Sequence, residues 1–197
     1  MTHRIVLSPR VTRREFEDIA FGSGWRLHEV VEAAEEHPYE EIWSVDNGRS
    51  AVHYIEDGLL GLLYVIVLGE HVDELEASLR RALETVRPAD ALEWLDDAAS
   101  AERRVQAAAY LAASAEHPAP DLIEAFDRLM RDPVADVRRA AIFAATYPAW
   151  PELLPLVQNV ARDDADAGVR DAAQEIAQIL ARHRGHSGEF LEEGGAT

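Results

Sequence analysis

Hydrophobic positions in the second half of the chain recur every 32 residues. Val105, Val137 and Val169 align, and small residues follow each three and four positions on: Ala108-Ala109, Ala140-Ala141 and Ala172-Ala173. An apolar residue followed at +3 and +4 by small ones marks one face of a helix. Alanine on that face lets a neighbouring helix axis come close. A second apolar helix pattern precedes each copy: Ala91, Leu92, Leu95 and Ala98, then Leu122, Ile123, Phe126, Leu129 and Met130, then Leu153, Leu154, Val157, Val160 and Ala161. The spacing predicts three helix–turn–helix units. Neither helix of a unit buries its face alone, and stacking the units joins those faces in one core.

The first part follows a different pattern. Arg4–Leu7 reads as a short strand or extended arm ended by Pro9. Thr12 and Glu15 form a capping box for a helix to about Ala20 that buries Phe16 and Ile19. Gly22-Ser23-Gly24 breaks that helix. Leu27, Val30, Val31 and Ala34 carry helical spacing and predict a second helix over 27–36. Glu41–Val45 and Ser50–Ile55 flank Asp46-Asn47-Gly48-Arg49, and Asn-Gly between such runs signals a hairpin that pairs Trp43 with Val52. Leu60–Leu68 is almost continuously apolar, which predicts the central or most buried strand. A helix over Val72–Val86 carries the stripe Val72, Leu75, Leu79, Leu83 and Val86. Arg87-Pro88 then marks the boundary between the two parts.

Asp132-Pro133, Asp136-Val137-Arg138 with the alanines after them, and the Leu-Leu-Pro-Leu run at 153–156 resemble the HEAT-repeat family. The likeness covers roughly residues 88–182. It implies that an Asp before the second helix and an Arg after its valine brace adjacent repeats, here Asp136 and Arg138. The first unit has Arg104 and Gln106 at those positions, and the third has Gly168 and Arg170. The likeness also implies that the two positions after the paired alanines face outward. They are Tyr110-Leu111, Ile142-Phe143 and Gln174-Glu175. The apolar pairs therefore predict a partner-binding row of Tyr110, Leu111, Ile142 and Phe143. Arg139 beside it is a polar anchor, and Trp150, between Pro148 and Pro151, is a candidate hot spot. The competing reading makes that row an intramolecular contact and Trp150 a packing staple.

The fold class expected is thus an α+β amino-terminal domain over 1–87, an antiparallel three-stranded meander with helices, followed by an all-α HEAT-like helical-repeat stack over 88–182. His183–Thr197 reads as a disordered tail.

Charge narrows the function. The chain carries 37 Asp and Glu against 19 basic residues, all arginine, for a net charge of −18. Acid is spread over both parts: 17 against 9 in residues 1–87, and 20 against 10 in 88–197. Nucleic-acid affinity comes largely from neutralising phosphates, so no nucleic-acid partner is expected, and a basic protein partner is. The absence of lysine points to a GC-rich genome. Cysteine is absent, which removes disulfide and thiolate chemistry and fits a cytoplasmic protein. No apolar run reaches the roughly 20 residues needed to span a bilayer.

Catalytic motifs fail one by one. His28 and Glu32 stand a helical turn apart on the predicted helix, but a zinc-protease motif needs His at 32. Gly22-Ser23-Gly24 lacks the strand a dinucleotide turn requires. Glu35, Glu36, Glu40 and Glu41 around His37-Pro38 form an acidic run with no converging ligand set, and His53 reads as a satisfied structural histidine. No catalytic residue, cofactor or metal site is expected. The function expected is a non-enzymatic protein-binding module, an acidic bacterial scaffold or immunity-type protein. Alternatives implied by the resemblance are a HEAT-like alkylpurine DNA glycosylase and a ligand-binding or lyase-type HEAT protein.

Overall fold

In the computed structural model the chain divides into two compact units, Met1–Arg87 and Pro88–Thr197. The structure describes residues 3–34, 37–58, 60–97 and 100–189. The fold is mixed α+β, with the strands amino-terminal and a run of helices after them.

The first unit is one antiparallel five-stranded sheet with two helices. In chain order it runs β1 (His3–Val6), α1 (Arg13–Gly22), β2 (Arg26–Val31), β3 (Tyr39–Val45), β4 (Ser50–Asp57), β5 (Leu62–Gly69) and α2 (Val72–Ala82). The strand order is β1-β5-β4-β3-β2. Inward-facing residues alternate along β3 and β4, so Tyr39, Trp43, Val45, Val52 and Tyr54 share a face with Ile5, Val65 and Val67. Phe16 of α1 stacks on Tyr54 with ring centroids 4.7 Å apart and meets Trp43 edge-on. Leu79 of α2 closes the same core.

Several sequence expectations meet the coordinates here. Thr12 caps α1, its hydroxyl oxygen accepting from the Glu15 amide at 3.3 Å. Trp43 pairs with Val52 as the Asn-Gly turn requires, and Asp46, Asn47 and Gly48 all take positive φ. The sheet has five strands, not three, because two segments outside the expected meander join it. One is β1, the alternative of the amino-terminal arm that forms. The other is β2, where a helix over 27–36 is expected from Leu27, Val30 and Val31. The cause is a register shift between Leu27 and Glu29. That bulge sets Leu27 opposite Trp43 and Val30 opposite Glu41, so residues three apart share one face of a strand. The spacing imitates a helix turn.

The long apolar run is also displaced from its expected place: β4 is the central strand and β5 lies between it and β1. Helix α2 ends at Ala82 instead of Val86. Leu83 is already extended, Thr85 bridges Leu7, and the Val86 amide donates to the Val6 carbonyl. Gly69, with φ +102°, ends β5 where a Cβ would collide with the Arg49 backbone.

The second unit is six helices: α3 (Pro88–Asp96), α4 (Ala101–Ser114), α5 (Pro120–Met130), α6 (Ala135–Ala144), α7 (Leu153–Asp163) and α8 (Ala167–Glu189). Proline opens α3 and α5, where its missing amide costs nothing. The helices pair as α3/α4, α5/α6 and α7/α8. Packing then runs from α4 to α6 to α8 on one side and from α3 to α5 to α7 on the other. The aligned positions Val137 and Val169, and Ala109, Ala141 and Ala173, are all buried, while Ala140 and Ala172 are half-buried. Ala98, assigned to the first helix pattern, lies outside the described residues. Helix α8 continues to Glu189, past the point where a disordered tail is expected to begin, and residues 190–197 lie outside the described ones.

Candidate functional site

The predicted row on the second helices does not form a surface. Tyr110, Leu111 and Ile142 are each 0% exposed, and the Tyr110 ring meets Trp94 of α3 edge-on at 5.4 Å. Phe143 is 40% exposed and is the one member of the row that faces outward. The physical reason is helix phase. Val137, Ala141 and Ala144 are buried with Ile142, so the buried stripe of α6 takes in Ile142; in α4 the whole run Ala107–Ala113 is buried, Tyr110 and Leu111 included, and in α8 Gln174 is exposed. Trp150 is buried and packs edge-on against Phe126 at 6.4 Å, which is the staple reading of that residue. Arg139 is half-exposed and pairs with Asp136 on its own helix at 3.2 Å.

Bracing between hairpins runs through other acids than the expected Asp136. Asp132 and Asp164 lie just past the ends of α5 and α7, and each receives an arginine fork from the preceding hairpin. Arg104 of α4 donates through Nε and Nη2 to the two Asp132 oxygens at 2.6 and 3.1 Å. Arg138 of α6 does the same to Asp164 at 2.7 and 2.8 Å, and its Nη1 donates to the Asp132 carbonyl at 2.7 Å. The same carboxylates hold their own loops, accepting from the Val134 and Asp166 amides. Arg170 repeats the local half of this, its Nη1 donating to the Asp164 carbonyl at 2.7 Å. The Arg138 fork holds the Asp164 carboxyl below its ordinary range. An open cleft of about 680 Å³ lies over this ladder, lined by Asp132, Arg138 and Asp164. The exposed arginines on its rim pair with neighbouring acids, Arg131 with Asp127 and Arg162 with Asp163.

In the sheet unit, charge gathers under α1. Glu41 is 2% exposed, and its carboxylate accepts from the Tyr39 hydroxyl at 2.8 Å and the Trp43 indole at 3.0 Å. Arg13 of α1 lies 3.6 Å from the Tyr39 ring centroid and forks onto Glu56 at 2.9 and 2.7 Å. Tyr54 also donates to Glu56 at 3.1 Å. The Arg13 fork pulls the Glu56 carboxyl below its usual value. Burial, then the charge of Glu41 and a hydrogen bond to it, push the Glu17 carboxyl up. Burial, then the bond to Glu41, push Tyr39 up to about 12. On the other side of β3, Glu40 meets His53 Nδ1 at 2.6 Å, the satisfied histidine expected from sequence. Glu35 and Glu36 of the acidic run lie outside the described residues.

This arrangement places a carboxylate in the core with both oxygens engaged. The Arg13–Glu56 fork beside it ties α1 to the sheet. Sequence reasoning missed the network because its members sit on β3, β4 and α1. The signal present was an acid at an inward position, Glu41 between Tyr39 and Trp43, flanked by residues that carry donors. Among the described residues no group of three or more His, Cys, Asp or Glu is placed to hold a metal, and no helix is long and apolar enough to cross a membrane.

The class these features define is an α+β sheet unit joined in sequence to a unit of helical hairpins laced by arginine–aspartate forks. No protein-family model, no curated protein and no solved structure matches the chain.

Proposed function

We propose that the protein is a non-enzymatic binding module for a basic protein partner, with HEAT-like repeats forming its second unit. The observation that carries the reading is how its acids are divided. Glu41, Glu56, Asp132 and Asp164 are committed to internal donors, yet the chain still holds 18 more acids than bases. Among the described Asp and Glu only Glu41 and Asp132 are buried, so the rest of the described acids reach solvent, where they steer cations and repel polyanions. The same balance, 20 acids to 10 arginines over residues 88–197, speaks against the DNA-glycosylase alternative, whose helical face must lie on phosphates. The repeat reading is supported by the 32-residue period and by packing of each second helix on the next. An immunity-type protein neutralising a basic toxin, or a bacterial cytoplasmic scaffold, fits this chemistry.

The test is affinity capture from the native cell extract, followed by association kinetics at rising salt. A basic partner whose on-rate falls steeply as screening shortens to about 8 Å near physiological ionic strength supports the proposal. An acidic partner with salt-insensitive kinetics, or a clear duplex-DNA shift at moderate salt, overturns it.

A further inference from the structure

The two edges of the sheet differ. Beyond β1 the edge is closed by the chain itself, through the Leu7–Thr85 bridge, the Val86 amide on Val6 and the Ser8 amide on Glu84. Beyond β2 no strand follows among the described residues, and five of its six residues are exposed. An open strand edge presents a row of unpaired amides and carbonyls. On the α1 side of this edge lies an apolar strip: Leu27 is 44% exposed, Val30 41% and Phe21 61%, the last resting edge-on against Trp43 at 4.9 Å. Helix α1 contributes Phe21 to the strip and leaves Leu27 and Val30 exposed. In sequence the segment that holds α1, β2 and β3 is acidic. Residues 13–46 hold ten Asp and Glu against three Arg, so they carry −7 of the first unit's −8.

We propose that β2 is a docking edge that takes an extended, basic segment of the partner as a sixth strand; this rests on the basic-partner reading above. Main-chain hydrogen bonds to β2 supply pairing. Apolar residues at every second position of the segment cover Leu27, Val30 and Phe21, and its arginines or lysines meet Glu29 on the opposite face of the sheet and Glu32 just past the strand's end. A second copy of this chain is the poorer occupant. It brings another −18 and sets acids of one edge against those of the other. The bulge at His28 leaves Glu29–Val31 as the regular run where pairing starts.

The probe is a capped peptide of about eight residues alternating arginine and valine, a common strand length. Its affinity for the full-length protein is measured with amide hydrogen exchange. Slowed exchange within Arg26–Val31 is expected. Glu29→Arg with Glu32→Arg should weaken binding by about tenfold or more, and the same charge change at exposed Glu152 and Glu175 by less than about threefold. A peptide with alternate amides methylated should lose binding by about tenfold as well, which tests pairing without altering the protein. Equal losses from both protein variants, or protection confined to the helical unit, overturn the edge proposal and leave the basic-partner reading standing. No binding of the unmodified peptide at low salt overturns both.

Discussion

The two units use arginine–carboxylate pairs in opposite ways. In the helical unit the Arg138–Asp164 side chains are 13% and 6% exposed, and the pair joins one hairpin to the loop of the next. In the sheet unit Arg13 and Glu56 are 39% and 31% exposed, and the pair ties α1 to a sheet already held by Phe16, Trp43 and Tyr54. Both are two-point forks of similar length. Burial and the alternative sources of cohesion set their weight. Buried alanines at 109, 141 and 173 lie where α4, α6 and α8 pack in succession, so charged forks carry part of the register between hairpins. In the sheet unit the strand pairing already sets the register, and the fork adds less.

The sharpest way to break this comparison is to cut each fork. Arg138→Ala leaves Asp164 buried with its main counter-charge gone, a change that costs about 3–5 kcal/mol. Arg13→Ala exposes Glu56 to water and should cost about 1 kcal/mol or less. Urea unfolding followed by circular dichroism measures both. Equal losses would mean that burial does not distinguish the two forks.

The next effect concerns the alanine seam. Ala141 is 0% exposed and Ala140 half-buried. Ala141→Leu should therefore cost about 1–3 kcal/mol by overpacking, and Ala140→Leu clearly less. A reversed order in thermal melts would place the buried stripe of α6 one residue earlier, where the repeat alone had put it. Phe143→Ser gives the third and smaller step. Its ring is 40% exposed, so the change should stay within about 0.5 kcal/mol, as at other surface sites. Phe126→Ala, in the core beside Trp150, should cost about 3–5 kcal/mol.

These contrasts also show what the sequence could reveal. The helical unit was legible because a 32-residue period repeats one packing rule three times, and alignment averages out local noise. Its phase was not legible to a single residue: Ile142 and Tyr110 are buried where outward positions were expected. In the sheet unit each strand appears once. The Asn-Gly turn fixed the β3–β4 register, yet the bulge at His28 gave β2 the spacing of a helix, and an exposed edge strand lacks the alternation that a covered one would show. The docking edge was hidden for that reason. The Asp132 and Asp164 forks were hidden for another. Their partners lie 28 and 26 residues away, a relation that only the packing of successive hairpins creates.

The smallest expected effect separates the units by acid. Asp164 and Glu56 have carboxyl pKa values lowered from ordinary values of 3.8 and 4.5, first by the arginine fork in each case. A lowered carboxyl contributes stability that is present above its unfolded value and lost as pH falls through the folded one. The sheet unit therefore weakens below about pH 4.5 and the helical unit below about pH 3.8. Glu17 has the opposite sign. Its pKa is raised from 4.5 by burial first and by Glu41 next. Its contribution is present below that value and lost as pH rises through the raised one, so the sheet unit carries a partial offset that the described groups of the helical unit lack. Glu17→Gln removes a half-buried charge. It should stabilise the protein slightly at pH 7, and the gain should vanish near pH 4, where Glu17 is protonated in both states. Asp164→Asn should flatten the acid limb instead. Denaturant titrations at pH 7, 5 and 4 read Glu17→Gln, and extending them to about pH 3 reads Asp164→Asn. A Glu17→Gln gain that persists unchanged to pH 4 would remove titration of this group as the cause and, with it, the asymmetry between the two units.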